Sequence, residues 1–238
     1  MQNTKIIKIG NVKIGGTYPI AIQSMTNTKT KDILATVNQI NKLTAIGCQI
    51  VRVAVVKEIK KQIKIPLVAD IHFDYRLAIA SIEAGADKIR INPGNIGDKE
   101  RIKAVVDKAK EYDIPIRIGI NGGSLEKHLL EKYGGVTAEA LLESMINHVK
   151  LIEEMNFSNL VLSIKATSLE TTIKTNQLLK KHFNYPLHIG LTESGTVKSG
   201  TIRSSYVLGS LISLGIGDTI RLSLNGDPLN EIPVAKEI

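Results

Sequence analysis

Cysteine is almost absent from this chain: Cys48 is the only one among 238 residues. An intrachain disulfide is excluded, and so is a metal cluster held by several thiolates of this chain. One cysteine fits a reducing cytoplasm. Tryptophan is missing and aromatics make up only 4% of residues, which leaves few platforms for stacked bases. No apolar run reaches the roughly 18–20 residues of a bilayer-spanning helix. The first ten residues, MQNTKIIKIG, lack the apolar stretch of a secretory signal. The formal net charge of +8 raises nucleic acid as a partner. Most of the surplus, however, is lysine scattered over helix-like stretches such as KEIKKQIK (57–64) and LLKKH (178–182). A solvated basic surface is expected, with no nucleic-acid and no membrane partner.

Arginine is scarce as well, and its placement is informative. Four of the seven arginines lie inside short β-branched runs: Arg52 in IVRVAV (50–55), Arg90 in KIRIN (88–92), Arg117 in IRIGI (116–120) and Arg221 in TIRLSL (219–224). A fifth cation, Lys165, ends LVLSIK (160–165). Burying an uncompensated cation is costly. If these strands share one parallel sheet, the charges converge at one end of it and call for an anion. Phosphate or diphosphate suits the planar donor fork of arginine.

With IAIQSM (20–25), PLVADI (66–71) and LHIGLT (187–192), the strand-like runs number eight. They are apolar without strict alternation, as parallel strands covered by helices are. Helical spacing predicts helices over 33–47, 74–85, 98–112, 137–155, 168–183 and 199–215, with Asp98 as an N-cap and Thr137, two residues before Glu139, close to a capping pattern without matching it. Eight β-α units in series predict an α/β fold, a (β/α)8 TIM barrel occupying residues 1–238. An open doubly wound sheet is the structural rival. KIIKIGNVKIGG (5–16) reads as a β-hairpin around Gly10-Asn11, placed under the barrel floor. Only about ten residues (56–65) link the second and third strands, close to the minimum for a parallel crossover, so that helix is stunted or residues are missing there. The chain ends at AKEI, inside what reads as the helix after strand eight and suggests truncation.

The active site of a β/α barrel lies at the C-terminal strand ends. Reading those ends gives Gln23, Ser24, Arg52, Asp70, His72, Arg90, Asn92, Arg117, Asn121, Lys165, Thr192, Glu193, Arg221 and Ser223. Asp70 and His72 share a strand face and could be a metal pair or simply hydrogen-bond each other. A strand arginine can be an ion-pair partner, but four at once outnumber the strand carboxylates. Lys165 could be a phosphate clamp or the Schiff-base nucleophile of a class I aldolase. The turns INPGNIG (91–97), INGGSL (120–125) and TESGT (192–196) each follow a strand and can present backbone N–H groups to an anion.

Several long stretches carry a family resemblance: IQSMTNT (22–28), GCQIVRVAV (47–55), PLVADIHFDYRLA (66–78), DKIRINPGNIG (87–97), PIRIGINGGSL (115–125), KYGGVTAEALLES (132–144), YPLHIGLTESG (185–195) and GIGDTIRLSLNGDP (215–228). In these the chain resembles the N-terminal barrel of the 4-hydroxy-3-methylbut-2-enyl diphosphate synthases, iron–sulfur oxidoreductases of the non-mevalonate isoprenoid pathway. The resemblance implies reductive opening of 2-C-methyl-D-erythritol 2,4-cyclodiphosphate, with electrons from ferredoxin or flavodoxin through a [4Fe-4S] cluster. It implies a diphosphate grip by Arg52, Arg90, Arg117, Lys165, Thr192 and Ser223, with Asn92 and Asn121 beside them. Asp70 and His72 match the family's pocket, and Glu193 matches a glutamate beside the leaving hydroxyl. A second domain supplies the cluster ligands in that family, which works as a homodimer. This chain ends before that domain, so the chain alone is expected to hold no cluster and to turn over nothing. A longer helix after Val55 and alanine at position 194 are the family's usual pattern; here the crossover is short and Ser194 stands instead.

Overall fold

A computed structural model describes residues 4–29, 31–54 and 56–238. Strands β1 (Ile7–Ile9) and β2 (Val12–Ile14) form the expected antiparallel hairpin, Ile7 opposite Ile14. Eight parallel strands follow: β3 (Ala21–Met25), β4 (Ile50–Val53), β5 (Leu67–Asp70), β6 (Lys88–Ile91), β7 (Ile116–Asn121), β8 (Leu160–Lys165), β9 (His188–Ile189) and β10 (Thr219–Ile220). From β3 to β8 each strand pairs with the next in sequence, and β10 joins β9 to β3. A parallel bridge between Leu162 of β8 and Leu187, just before β9, closes the ring. A doubly wound sheet reverses its strand order at a switch point; this order runs once around. The fold is the TIM barrel.

The helices are α1 (Ile33–Ala45), α2 (Lys57–Lys60), α3 (Tyr75–Glu83), α4 (Pro93–Ile96), α5 (Lys99–Glu111), α6 (Lys127–Tyr133), α7 (Ala138–Glu153), α8 (Leu169–His182), α9 (Val197–Ser213) and α10 (Glu231–Glu237). Side-chain caps set their starts. Asp98 accepts from Arg101 N–H at α5, as expected, and Thr137 caps α7 by accepting from Ala140 N–H. Asp32, Asp74, Ser168 and Thr196 cap α1, α3, α8 and α9 in the same way. The crossover after β4 is stunted: α2 has four residues and buries only Ile59. Val55, the last residue of IVRVAV, lies outside the described residues.

Two strand ranges need correction. LHIGLT and TIRLSL each contribute only two residues to the ladder. Beyond these residues the ladder is broken but the segments stay joined at the barrel mouth, where Ser194 Oγ donates to Ser223 C=O at 2.6 Å and Gly195 bridges Leu224. Short helix α4 stands in the INPGNIG stretch read as a turn, and α6 forms in a stretch for which no element was predicted.

The core has two parts. Most apolar residues sit between sheet and helices. A smaller cluster joins Ile7, Ile9 and Ile14 of the hairpin to Ala21, Ile50, Val68 and Val161. The last four come from the starts of four barrel strands, so the hairpin plugs the floor as expected. Thr4 Oγ1 on Asp218 (2.7 Å) and Lys5 N–H on Asn184 C=O (2.7 Å) tie it to loops at the same end.

Candidate active site

Above that floor the barrel interior is polar. TIM barrels usually fill it with layers of branched apolar side chains. Here Gln23, Lys88, Arg90, Arg117, Lys165 and His188 are all buried. Lys88 Nζ reaches Gln23 Oε1 at 3.5 Å; β6 and β3 are separated by β4 and β5, so this contact crosses the lumen. Alternation does the rest: residues two apart on a strand share a face, which aligns Lys88 with Arg90 and Arg52 with Ile50.

At the mouth, Arg52, Asp70, His72, Arg90, Arg117, Asn121, Lys165, Thr192, Arg221 and Ser223 line one cavity of about 160 Å³. These are ten of the fourteen strand-end residues read from the sequence; Gln23, Ser24, Asn92 and Glu193 do not line it. A wider lobe of about 460 Å³ continues from it past Asn121, Lys165 and Thr192 to Val136 and Glu193. Glu193 is exposed and holds φ of +52°, a left-handed conformation uncommon for a residue with a Cβ. Asn92 lines neither lobe. Its amide accepts from Gly94 N–H (3.2 Å) and donates to Ser124 Oγ (3.1 Å), so it builds the loops rather than the cavity. That also removes one N–H of the INPGNIG turn from anion binding.

Asp70 is the hub. Its carboxylate meets Arg52 Nε at 3.4 Å, Arg90 Nη1 at 3.2 Å and His72 Nε2 at 3.2 Å. Burial alone would raise its pKa; Arg52, Arg90 and Arg117 outweigh burial and hold it below the usual carboxylate range. Asp70 and His72 therefore hydrogen-bond each other. No group of three metal-ligating side chains occurs among the described residues. Arg52 also donates to Met25 Sδ (2.6 Å from Nη2), and burial lowers its pKa to about 10 despite Asp70.

The strand-end expectation missed one carboxylate. Glu231, the first residue of α10, is buried; it takes a hydrogen bond from Ser24 Oγ (2.8 Å) and meets Arg221 Nη2 at 3.5 Å. Burial raises its pKa, with Arg221 and Ser24 opposing. A lone helix glutamate ten residues beyond the last strand arginine carries no sequence signal for this contact. Cations still predominate. Arg52, Arg90, Arg117, Lys165 and Arg221 face two buried carboxylates, Asp70 and Glu231, an excess of three formal positive charges.

Among the described residues neither Arg117 nor Lys165 forms an ion pair with a carboxylate. Arg117 is 2% exposed, and its Nε and Nη1 have no hydrogen-bond partner among the described residues. Burial, then Arg52 and Arg90, push its pKa well down; burial, then Arg221 and Arg117, do the same to Lys165. Two glycines make room for this crowding. A Cβ on Gly119 would stand 2.6 Å from Arg90 Nε, and one on Gly190 would stand 2.6 Å from Lys165 Nζ and 2.4 Å from Arg221 C=O. Both positions face inward and must stay empty for the cations to fold over them.

Among solved structures, dihydropteroate synthase from Xanthomonas albilineans aligns over 98% of this chain and 97% of its own, at 11% identity and TM-score 0.65. The Stenotrophomonas maltophilia enzyme does so over 98% and 96%, at 13% identity and TM-score 0.68. Such a likeness concerns the fold alone. In sequence, the 4-hydroxy-3-methylbut-2-en-1-yl diphosphate synthase (flavodoxin) of Caldanaerobacter subterraneus subsp. tengcongensis is 58% identical over 99% of this chain and 68% of its own length. Its counterpart from Shouchella clausii is 53% identical over 100% and 67%. The aldolase alternative for Lys165 gives way to these findings. The family model described as the GcpE TIM-barrel domain matches residues 4–236, and the chain belongs to this family, that of the 4-hydroxy-3-methylbut-2-en-1-yl diphosphate synthases.

Proposed function

We propose that the polar mouth binds 2-C-methyl-D-erythritol 2,4-cyclodiphosphate and is the site where the ring opens to 4-hydroxy-3-methylbut-2-enyl diphosphate. The observation that carries this reading is the convergence of five cations on one cavity whose described lining includes a single carboxylate, Asp70, with Glu231 reaching only Arg221 from outside that lining. Reductive opening takes in two electrons and one proton, breaks a ring C–O bond and releases one water. The open diphosphate then carries one more negative charge than the ring. Donors held in place before charge develops are an effective form of stabilisation. Arg117 Nη and Lys165 Nζ face that charge, Arg90 and Arg52 being oriented by Asp70. The carbon skeleton extends into the wider lobe, where Glu193 stands to deliver the proton to the leaving hydroxyl. Asn121, Thr192 and Ser223 supply neutral hydrogen bonds around the phosphates, and His72 stands at the rim.

A [4Fe-4S] cluster, flavodoxin as electron donor and a homodimer belong to the same reading of the full family protein. The residues of this chain do not fit the cluster. Its single cysteine is buried, with Sγ 3.2 Å from Ile50 C=O and burial pushing the thiol up to about 11. No helix among the described residues is long and apolar enough to cross a membrane.

Calorimetric titration with the cyclic diphosphate tests the proposal. Binding to the native chain should weaken by about 10- to 100-fold in Arg117→Met, the scale of a lost charged hydrogen bond. Equal heats and affinities in both proteins would refute the role of the pocket.

A further inference from the structure

The cavity mouth leaves one buried cation unused. Lys88 lies one strand step below Arg90, is 0% exposed, and forms no ion pair with any carboxylate among the described residues. Its one polar contact is the long reach to Gln23 Oε1 across the lumen. The charged groups around it are cations: Arg52 from β4 and Arg117 from β7, with Arg90 above it on its own strand. From β9 comes His188, whose Nδ1 lies 2.7 Å from Thr219 Oγ1 and whose Nε2 has no hydrogen-bond partner among the described residues. Asp70, the carboxylate on neighbouring β5, is engaged by Arg52, Arg90 and His72.

The hydrogen-bond inventory of this lumen is one-sided. Gln23 Nε2, Arg117 Nε and Arg117 Nη1 are buried N–H donors without acceptors among the described residues. An ammonium at Lys88 would add three more donors; a neutral amine adds a lone pair that can accept. Arginine keeps its proton in proteins, whereas lysine yields it readily when buried among like charges. Burial first, then Arg117 and Arg52, drive Lys88 well below the ordinary lysine range.

We propose that Lys88 is a neutral amine in the anion-free chain and takes up a proton when a diphosphate binds in the cavity above it, making it a buried positioning residue of the anion site. The proton comes from solvent and bonds to the lone pair of Nζ. The incoming negative charge offsets the repulsion from Arg52 and Arg117, and the same change in charge opposes release of the anion. This inference rests on the reading of the mouth as a diphosphate site.

Inorganic diphosphate is the probe. With lysine labelled at ¹³Cε, the Lys88 signal, identified by its loss in Lys88→Met, should have the shift of a neutral amine at pH 8 and move to the ammonium position at saturation. Calorimetry in buffers of different ionisation enthalpy should show about one proton fewer taken up per diphosphate bound by Lys88→Met, with affinity about three- to tenfold weaker, the scale of a modest coupling. Lys88→Gln, which keeps a polar group toward Gln23, serves if Lys88→Met does not fold. Diphosphate binding with an ammonium signal already present in the free chain, or with the same proton count in native and variant chains, overturns the inference and leaves the anion site standing. Failure of diphosphate to bind removes both.

Discussion

Arg90 and Gly119 show how closely individual residues are matched in this site. Gly119 on β7 presents no side chain where the guanidinium of Arg90 must lie, and its C=O accepts from Arg90 Nη2 at 3.2 Å. Gly119→Ala should displace Arg90, lower stability by about 1–3 kcal/mol as overpacking does, and weaken diphosphate binding. Urea unfolding and calorimetry on the variant check this; undisturbed affinity would show that Arg90 can be spared. At this scale the sequence was legible where charge interrupted an apolar run. Arg52, Arg90, Arg117, Arg221 and Lys165 stood out because strands rarely bury cations, and all five reach the cavity. Lys88 and His188 carried a similar signal: Lys88 is two residues before Arg90, and His188 two before Gly190, so both face the lumen. Attention to the C-terminal strand ends alone hid them. Asn92 shows the opposite error: its position fits, but its side chain is consumed by Gly94 and Ser124.

Among elements, the hairpin and α6 illustrate how pieces outside the barrel hold it in shape. Ile9 is fully buried against the floor. Ile9→Ala should cost about 2–5 kcal/mol, measured by denaturant unfolding, while the folded variant keeps its affinity for diphosphate because the floor touches no phosphate-facing group. Loss of affinity in proportion to stability would contradict that separation. Helix α6 is fastened through Glu126, the residue at its N-cap, whose carboxylate takes a hydrogen bond from Ser144 Oγ (2.8 Å) and meets His148 Nε2 (3.1 Å) on α7. Burial would raise this carboxyl, but His148 and Ser144 bring it down to about 2 from 4.5. A depressed carboxyl stabilises the fold above its unfolded pKa, and that stabilisation is lost as pH falls from about 4.5 through about 2. Glu126→Gln should thus destabilise the chain at pH 7 by about 1–2 kcal/mol, discounted for partial exposure. The gap to the native chain should narrow below pH 4.5, as urea titrations at several pH values would reveal; a gap independent of pH would contradict the assignment. The hairpin was legible from its two short strands, Ile-Lys-Ile and Val-Lys-Ile, on either side of Gly10-Asn11. Helix α6 was not, because its seven residues sit between glycine-rich turns and bury only Leu129.

For the whole molecule, the net charge of +8 divides into two kinds of cation. Surface lysines such as Lys99, Lys103 and Lys132 pair with nearby carboxylates in exposed bridges, which contribute little to stability. The cations at the barrel mouth are buried or half-buried, outnumber their carboxylates and line the proposed binding site. Closure of the ring makes this concentration possible, since eight strand ends then face one space. That much followed from the periodicity of the strands; the contribution of Glu231 did not, because a helix beyond the last strand delivers it through tertiary packing. The most direct test is a crystal structure of the chain with the cyclic diphosphate bound. Both phosphorus atoms should lie in the cavity, their oxygens within hydrogen-bond distance of Arg117, Arg90 and Lys165, with the carbon skeleton toward Glu193. Phosphates found on the outer lysines, with the mouth filled only by water, would contradict the account.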